Sequence, residues 1–182
     1  MASETLSVAR LCQKDSRWKD VLLGWSSTDT IGASGCLLTS FTMIYNYWVS
    51  RGLYNGSVKT PSEMNTHCKN NGAFSDADLD TATAASTFSF QVDSNFNSQN
   101  DVSTTIPYSS VIVKAKSAIA GGKPLLIGVY DPNQYAHFVV AYKYDNSEIY
   151  IHDPALYNKT TLHEYITSGF HVYSYRAYKP AN

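Results

Sequence analysis

The chain has 182 residues, the span of one domain able to bury a core of its own. Its 14 Lys and Arg against 15 Asp and Glu give a formal net charge of -1 with no run of like charge, which excludes the electrostatic footprint of a nucleic-acid partner and a polybasic membrane patch. The longest apolar run, Pro124 to Tyr130, falls far short of the roughly 18 residues of a membrane span, and Met1 to Arg10 lacks a signal-peptide core, so a soluble chain without a membrane-inserted segment is expected.

Charged residues make up 16%, against roughly 25% in an ordinary soluble domain, while Ser, Thr and Asn abound and Tyr occurs 14 times. A polar but weakly charged surface of this kind fits work at the cell envelope or outside the cell. Cys12, Cys36 and Cys68 cannot all pair within one chain, so at least one thiol is free; Cys12 and Cys68 are expected as free, buried thiols. Residues 1–10 read as a loose leader, residues 11–178 as the domain, and residues 179–182 as a linker-like end.

The first strong element begins after Gly35. Cys36, Leu37, Leu38, Phe41, Ile44, Tyr45 and Trp48 recur with a helical period that stops before Gly52, predicting a long helix with one face in the core and a cysteine in its first turn. Thr60-Pro61-Ser62-Glu63 supplies an N-cap, a proline at the first helical position and an acid three residues after the cap, opening a helix that runs to about Asn70. A further helix is expected from Asp76 to Ala85, a long Ser- and Asn-rich loop from Ser86 to Pro107, and a helix from Ser110 to Ala120 ended by Gly121-Gly122.

From Pro124 the pattern changes to strands. Leu125 to Val129, His137 to Tyr144 and Glu148 to His152 are short apolar or alternating runs, and Asp145-Asn146-Ser147 is turn chemistry that joins the last two as an antiparallel hairpin. Thr161 to Thr167 reads as a short helix and His171 to Tyr178 as a Tyr-rich strand. The result is an α+β layout with helices leading and an antiparallel sheet following.

A thiol attacks as thiolate, and the positive end of a helix favours the thiolate, so Cys36 is placed for nucleophilic work where Cys12 and Cys68 are not. A nucleophile needs a base, and the base an orienting partner. With the hairpin turn centred near Asn146, paired residue numbers sum to about 292, which sets His137 opposite roughly residue 155 and within a step or two of Asp153. Gln13 is the upstream candidate for an oxyanion donor, beside the backbone amide of Cys36. His152 alternates to the opposite strand face from Asp153 and is expected at the surface or behind the site.

Other signals fail on spacing. Gly32-Ala33-Ser34-Gly35 would need glycine at 36 for a nucleophile elbow, His163-Glu164 would need His at 167 for a zinc motif, and no C-x-x-C pair exists, so neither a metal nor a cofactor is expected.

Gln13 to Asp20, Leu23-Gly24, Thr30-Ile31-Gly32 and Gly35 to Ser40 with Met43, followed by Gly122 to Val129, His137 to Tyr142 and Ile149 to Pro154, resemble the papain-superfamily cysteine peptidases similar to the bacteriocin-leader (double-glycine) peptidases. The resemblance spans about residues 11–170. It implies a papain-like α+β fold with the nucleophile helix packed on a C-terminal antiparallel sheet. It also implies Cys36 as nucleophile, His137 as general base and acid, Asp153 as the residue orienting the imidazole, and Gln13 in the oxyanion hole. Gln13 lies 23 residues before Cys36, a wider gap than in the bacteriocin transporters, which favours the broader peptidase-like branch. The expected function is hydrolysis of a peptide-type bond by a monomer, as the catalytic module of a cell-wall lytic enzyme such as a phage lysin that takes peptidoglycan-type substrate. The alternatives are acyl transfer of the phytochelatin-synthase kind and a non-catalytic binding module that retains the pocket.

Overall fold

A computed structural model describes residues 2–155 and 159–181. The elements in chain order are β1 (Ser3–Thr5), α1 (Ile31–Ser34), α2 (Cys36–Ser50), α3 (Pro61–Asn70), β2 (Phe74–Ser75), β3 (Asp78–Leu79), α4 (Thr81–Ser86), β4 (Phe90–Gln99), α5 (Tyr108–Ala120), β5 (Leu125–Tyr130), β6 (Ala136–Asp145), β7 (Glu148–His152), α6 (Leu162–Thr167) and β8 (His171–Pro180). Six strands form one antiparallel sheet in the order β1-β6-β5-β8-β4 with β7 on β6, and β2 and β3 form a separate hairpin. This is the α+β papain-like arrangement the resemblance implies.

The sheet's central strand shows how it is enclosed. Leu125 to Val129 are all buried, which an alternating strand permits only when both faces are covered. Helices α2 and α5 both pack on β6, and Phe41 of α2 meets Tyr178 of β8 edge to face with ring centroids 5.6 Å apart. Helix α3 starts where the sequence signature places it: Thr60 accepts from the Glu63 amide while the Glu63 carboxylate accepts from the Thr60 amide at 2.8 Å.

Gly35 connects α1 to α2 and has to be glycine. Its amide donates to the Ile31 carbonyl at 2.8 Å, and a Cβ built there would stand 2.4 Å from that same oxygen. The tight joint sets Cys36 at the first position of α2.

Four expectations are corrected. Residues 76–85 are not one helix: Asp76 takes a left-handed φ of 52° to turn the β2–β3 hairpin, and Asp80 then caps α4 by accepting from the Ala82 and Thr83 amides. The Ser- and Asn-rich stretch from 86 to 107 is not one loop. Its residues 90–99 are strand β4 on β8, anchored by buried Phe90, Phe96 and Asp93, the last paired with Lys123 at 3.2 Å. The described part of the leader expected over residues 1–10 is not loose either, since β1 pairs with β6 and Leu6 and Val8 are buried. At the other end Lys179 and Pro180, expected as linker, belong to β8 and pair with Gln91 and Phe90. Met1 and Asn182 lie outside the described residues.

Candidate active site

The β6–β7 hairpin turns at Asn146, which has φ 55°, and pairs Asp145 with Glu148. Beyond one register shift it pairs Val140 with His152, in the register the sequence implies. His137 enters at the start of β6 and Asp153 follows β7, so the two lie at the same end of the sheet. His137 Nε2 and Asp153 Oδ1 are 2.7 Å apart, with both side chains almost fully buried. Cys36 lies near enough to the same imidazole to influence its ionisation, and with Nε2 engaged by Asp153 the ring nitrogen left to serve the sulfur is Nδ1.

These contacts set the charge of the ring. Burial alone would lower the pKa of His137, but the hydrogen bonds to Asp153 and Cys36 and their negative charges outweigh it and raise the value to about 9. The imidazole is therefore held as imidazolium at neutral pH, between a carboxylate and a sulfur.

Asp153 is fixed from four sides. Its Oδ1 also accepts from the Ala155 amide at 2.9 Å, and its Oδ2 accepts from the hydroxyl of Tyr165, a wholly buried residue of α6. The Arg10 guanidinium donates to the backbone carbonyls of Asp153, at 3.0 and 2.8 Å, and of Ala155, at 3.1 Å. The Gln13 amide donates to the Pro154 carbonyl at 2.7 Å. An aromatic shell closes around the ring: Tyr135 lies edge-on to His137 at 5.9 Å, and Tyr165 and Phe170 pack at 5.1 Å.

The buried Gln13 side chain directs Nε2 at the Gly32 carbonyl, 3.1 Å away, with a longer 3.5 Å approach to Ile31. Its Oε1 is buried without a hydrogen-bond partner among the described residues. Gln13 thus joins the loop after Asp153 to the segment that leads into Cys36. His152 is set apart from this cluster: it stacks on Tyr142 at 3.8 Å and bonds the Val8 carbonyl at 2.7 Å. Of the other two thiols, Cys68 is fully buried and burial pushes it up to about 12, whereas Cys12, expected to be buried, is half-exposed. No group of three His, Cys, Asp or Glu among the described residues is placed to hold a metal ion.

Tyr165 and Arg10 escape a reading of the sequence. A signal for Tyr165 exists in hindsight: Leu162, Tyr165 and Ile166 share the inward face of a short helix, and an inward tyrosine hydroxyl has to find an acceptor. Nothing local marks Arg10, whose partners are 143 and 145 residues away.

A thiol, an imidazolium and a buried carboxylate in line, with helix amides beside the thiol, is the equipment of a thiol hydrolase. The model of the Peptidase_C39 like family matches residues 5–181. The chain belongs to that family. Its members are cysteine peptidases of the papain superfamily, and the protein is accordingly a cysteine peptidase. No curated protein matches the sequence. Among the described residues of this C39-like peptidase, no helix is long and apolar enough to cross a membrane.

Proposed function

We propose that Cys36, His137 and Asp153 carry out covalent hydrolysis of a peptide-type bond, with Gln13 assisting. The observation that carries this reading is the buried 2.7 Å hydrogen bond between His137 and Asp153, with Cys36 at the first position of α2 close enough to the imidazole to raise its pKa. The Cys36 sulfur attacks the substrate carbonyl carbon and the π electrons move to oxygen. That oxyanion accepts from the Cys36 backbone amide, which has no intrahelical acceptor at the first position of α2, and from the Nε2 hydrogen of Gln13 that meets only the distant Ile31 carbonyl. The imidazolium then gives its proton to the leaving nitrogen, the C–N bond breaks, and an amine departs from a thioester. Neutral His137 next takes a proton from water, whose oxygen attacks the thioester; carboxylate product leaves and sulfur is released. Asp153 holds the ring in one tautomer throughout.

The substrate proposed is the peptide cross-bridge of a cell wall, cut at the envelope or outside the cell. The support is compositional: a polar surface with few charges and many tyrosines. Clearing of purified cell walls by the wild type and not by Cys36→Ala would bear this out, and intact walls alongside cleavage of soluble peptides would reject the cell-wall substrate alone.

The chemistry itself is tested by mild alkylation. Iodoacetamide at about pH 6 is expected to label Cys36 ahead of Cys12 and Cys68, and the labelling is expected to fall in His137→Ala. Slow, equal labelling of the three thiols would defeat the assignment.

A further inference from the structure

Cys36 stands in the wall of a cavity of about 200 Å³. Leu37 of α2, Phe138 of β6, Leu23, and Ala77 and Leu79 of the β2–β3 segment supply its apolar lining. Leu37, Ala77, Leu79 and Phe138 are only partly buried, so aliphatic and aromatic surface faces open space beside the sulfur. Among the described residues, the acidic group in the lining is the exposed Asp78 and no basic residue lines the cavity.

We infer that this cavity is a specificity pocket that admits one uncharged aliphatic side chain of the substrate, about the size of leucine, and rejects acidic ones. The inference rests on the reading of Cys36 as nucleophile and adds the substrate class.

Size and chemistry both favour that occupant. A cavity of about 150 Å³ lined by Leu, Ile and Phe holds a benzene molecule, so 200 Å³ takes a branched aliphatic side chain with its backbone left outside. Moving such a side chain from water onto Leu23, Leu37, Leu79 and Phe138 is favourable in proportion to the apolar area covered. A carboxylate would lose its hydration there, meet no cation and face Asp78. Because one wall is a two-strand hairpin whose register is Phe74 with Leu79 and Ser75 with Asp78, the pocket depends on a small element that lies outside the main sheet.

Peptidyl aldehydes, which bond reversibly to thiolates, are the probes: acetyl-X-glycinal, and acetyl-glycyl-X-aldehyde, with X as Gly, Ala, Leu or Glu. Each competes with iodoacetamide for Cys36 in the full chain, and the aldehyde concentration that halves the labelling rate is read. In one of the two series leucine is expected to be roughly 10- to 100-fold tighter than glycine, with alanine between them and glutamate no better than glycine. Ala77→Trp, which fills the cavity, is expected to remove the leucine advantage. Leu79→Ala, which only trims the partly exposed wall, is expected to shrink it, and thermal denaturation reports whether each variant is folded. Equal affinities across X in both series, or a leucine advantage that survives in both variants, would overturn the pocket. Failure of iodoacetamide to label Cys36 at all is a different result, which removes the nucleophile reading and the pocket with it.

Discussion

The hydroxyl of Tyr165 donates to Oδ2 of Asp153, whose Oδ1 holds His137. Both residues are almost completely buried, so this donor takes up a lone pair that water cannot reach. Tyr165→Phe keeps the ring packing against Phe170 and removes only the donor. A hydrogen bond to a charged group contributes about 1.5–3 kcal/mol, and its loss leaves the carboxylate under-satisfied. The expected result is a lower melting temperature and roughly a tenfold slower reaction at Cys36. The carboxylate, relieved of one donor, also draws harder on the imidazolium, so the alkaline limb of the rate profile is expected to move to higher pH. A variant that loses stability with an unmoved limb would assign Tyr165 to packing alone.

The proton on His137 gives a second prediction. Its pKa is raised to about 9 in the folded protein against about 6.5 unfolded, the hydrogen bonds and charges of Asp153 and Cys36 overcoming burial. A raised value means that the folded state holds the proton more tightly. The stability this confers is complete below about pH 6.5 and disappears as pH rises through about 9. Peptide cleavage needs the same proton for the leaving amine, so kcat/KM is expected to fall with a midpoint near pH 9. Asp153→Asn removes one of the raising partners and is expected to bring that midpoint down toward neutrality. A pH–rate series on the two proteins checks it, and an unchanged midpoint would detach Asp153 from the imidazole.

The N-terminal segment braces the candidate site from outside. Leu6 and Val8 are buried, the Leu6 amide donates to the Tyr142 carbonyl at 2.8 Å, and Arg10 grips the carbonyls of Asp153 and Ala155. Deleting residues 2–8 is expected to cost several kcal/mol, since two aliphatic side chains leave the core at about 1.5–3 kcal/mol each. Arg10→Ala is expected to have a smaller effect on melting, a few degrees, and to slow labelling of Cys36 as the loop carrying Asp153 loosens. Chemical denaturation of both variants measures the first effect and the iodoacetamide rate the second.

What the sequence disclosed and what it hid have different physical origins. Cys36, His137 and Asp153 could be placed because their positions follow from local rules: a helix start after a glycine and a hairpin whose turn fixes the register. The capping box at Thr60 and Glu63 was legible for the same reason. Strand β4 was hidden because its code is not local. Between the buried Phe90 and Phe96 lie Gln91, Asp93, Ser94 and Asn95, which read as loop; the strand is made by residues 90–92 and 97–99 pairing with β8 about 80 residues away, and the irregular stretch between them is pinned by the Asp93–Lys123 ion pair. The β2–β3 hairpin was hidden in a run of small and acidic residues where Asp80 looked like helix interior and serves as a cap. Tyr165 and Arg10 reach Asp153 through tertiary packing, which no periodicity reports.

Gly128 gives the last test, one that ties the sheet to the cavity beside Cys36. Strand β8 shifts register between its pairings with Gly128 and Val129, leaving Tyr173 in the bulge. A Cβ on Gly128 would lie 2.9 Å from Tyr173 Cζ and 3.1 Å from Phe138 Cε1. Both contacts are with ring atoms, of buried Tyr173 and of Phe138, which lies under the Arg176 guanidinium with 5.6 Å to the ring centroid, so a ring has to shift to admit the methyl group. Gly128→Ala is therefore expected to destabilise the protein by about 1–3 kcal/mol through overpacking. Because Phe138 lines the cavity and adjoins His137, the displacement is also expected to slow alkylation of Cys36. Gly52→Ala is the control: its φ of 70° makes any side chain unfavourable, yet nothing stands within 4 Å of the added Cβ. It is expected to lose about 1–2 kcal/mol from backbone strain with no change in alkylation. Equal alkylation rates in the two variants would show that the Phe138 ring can move without disturbing the thiol.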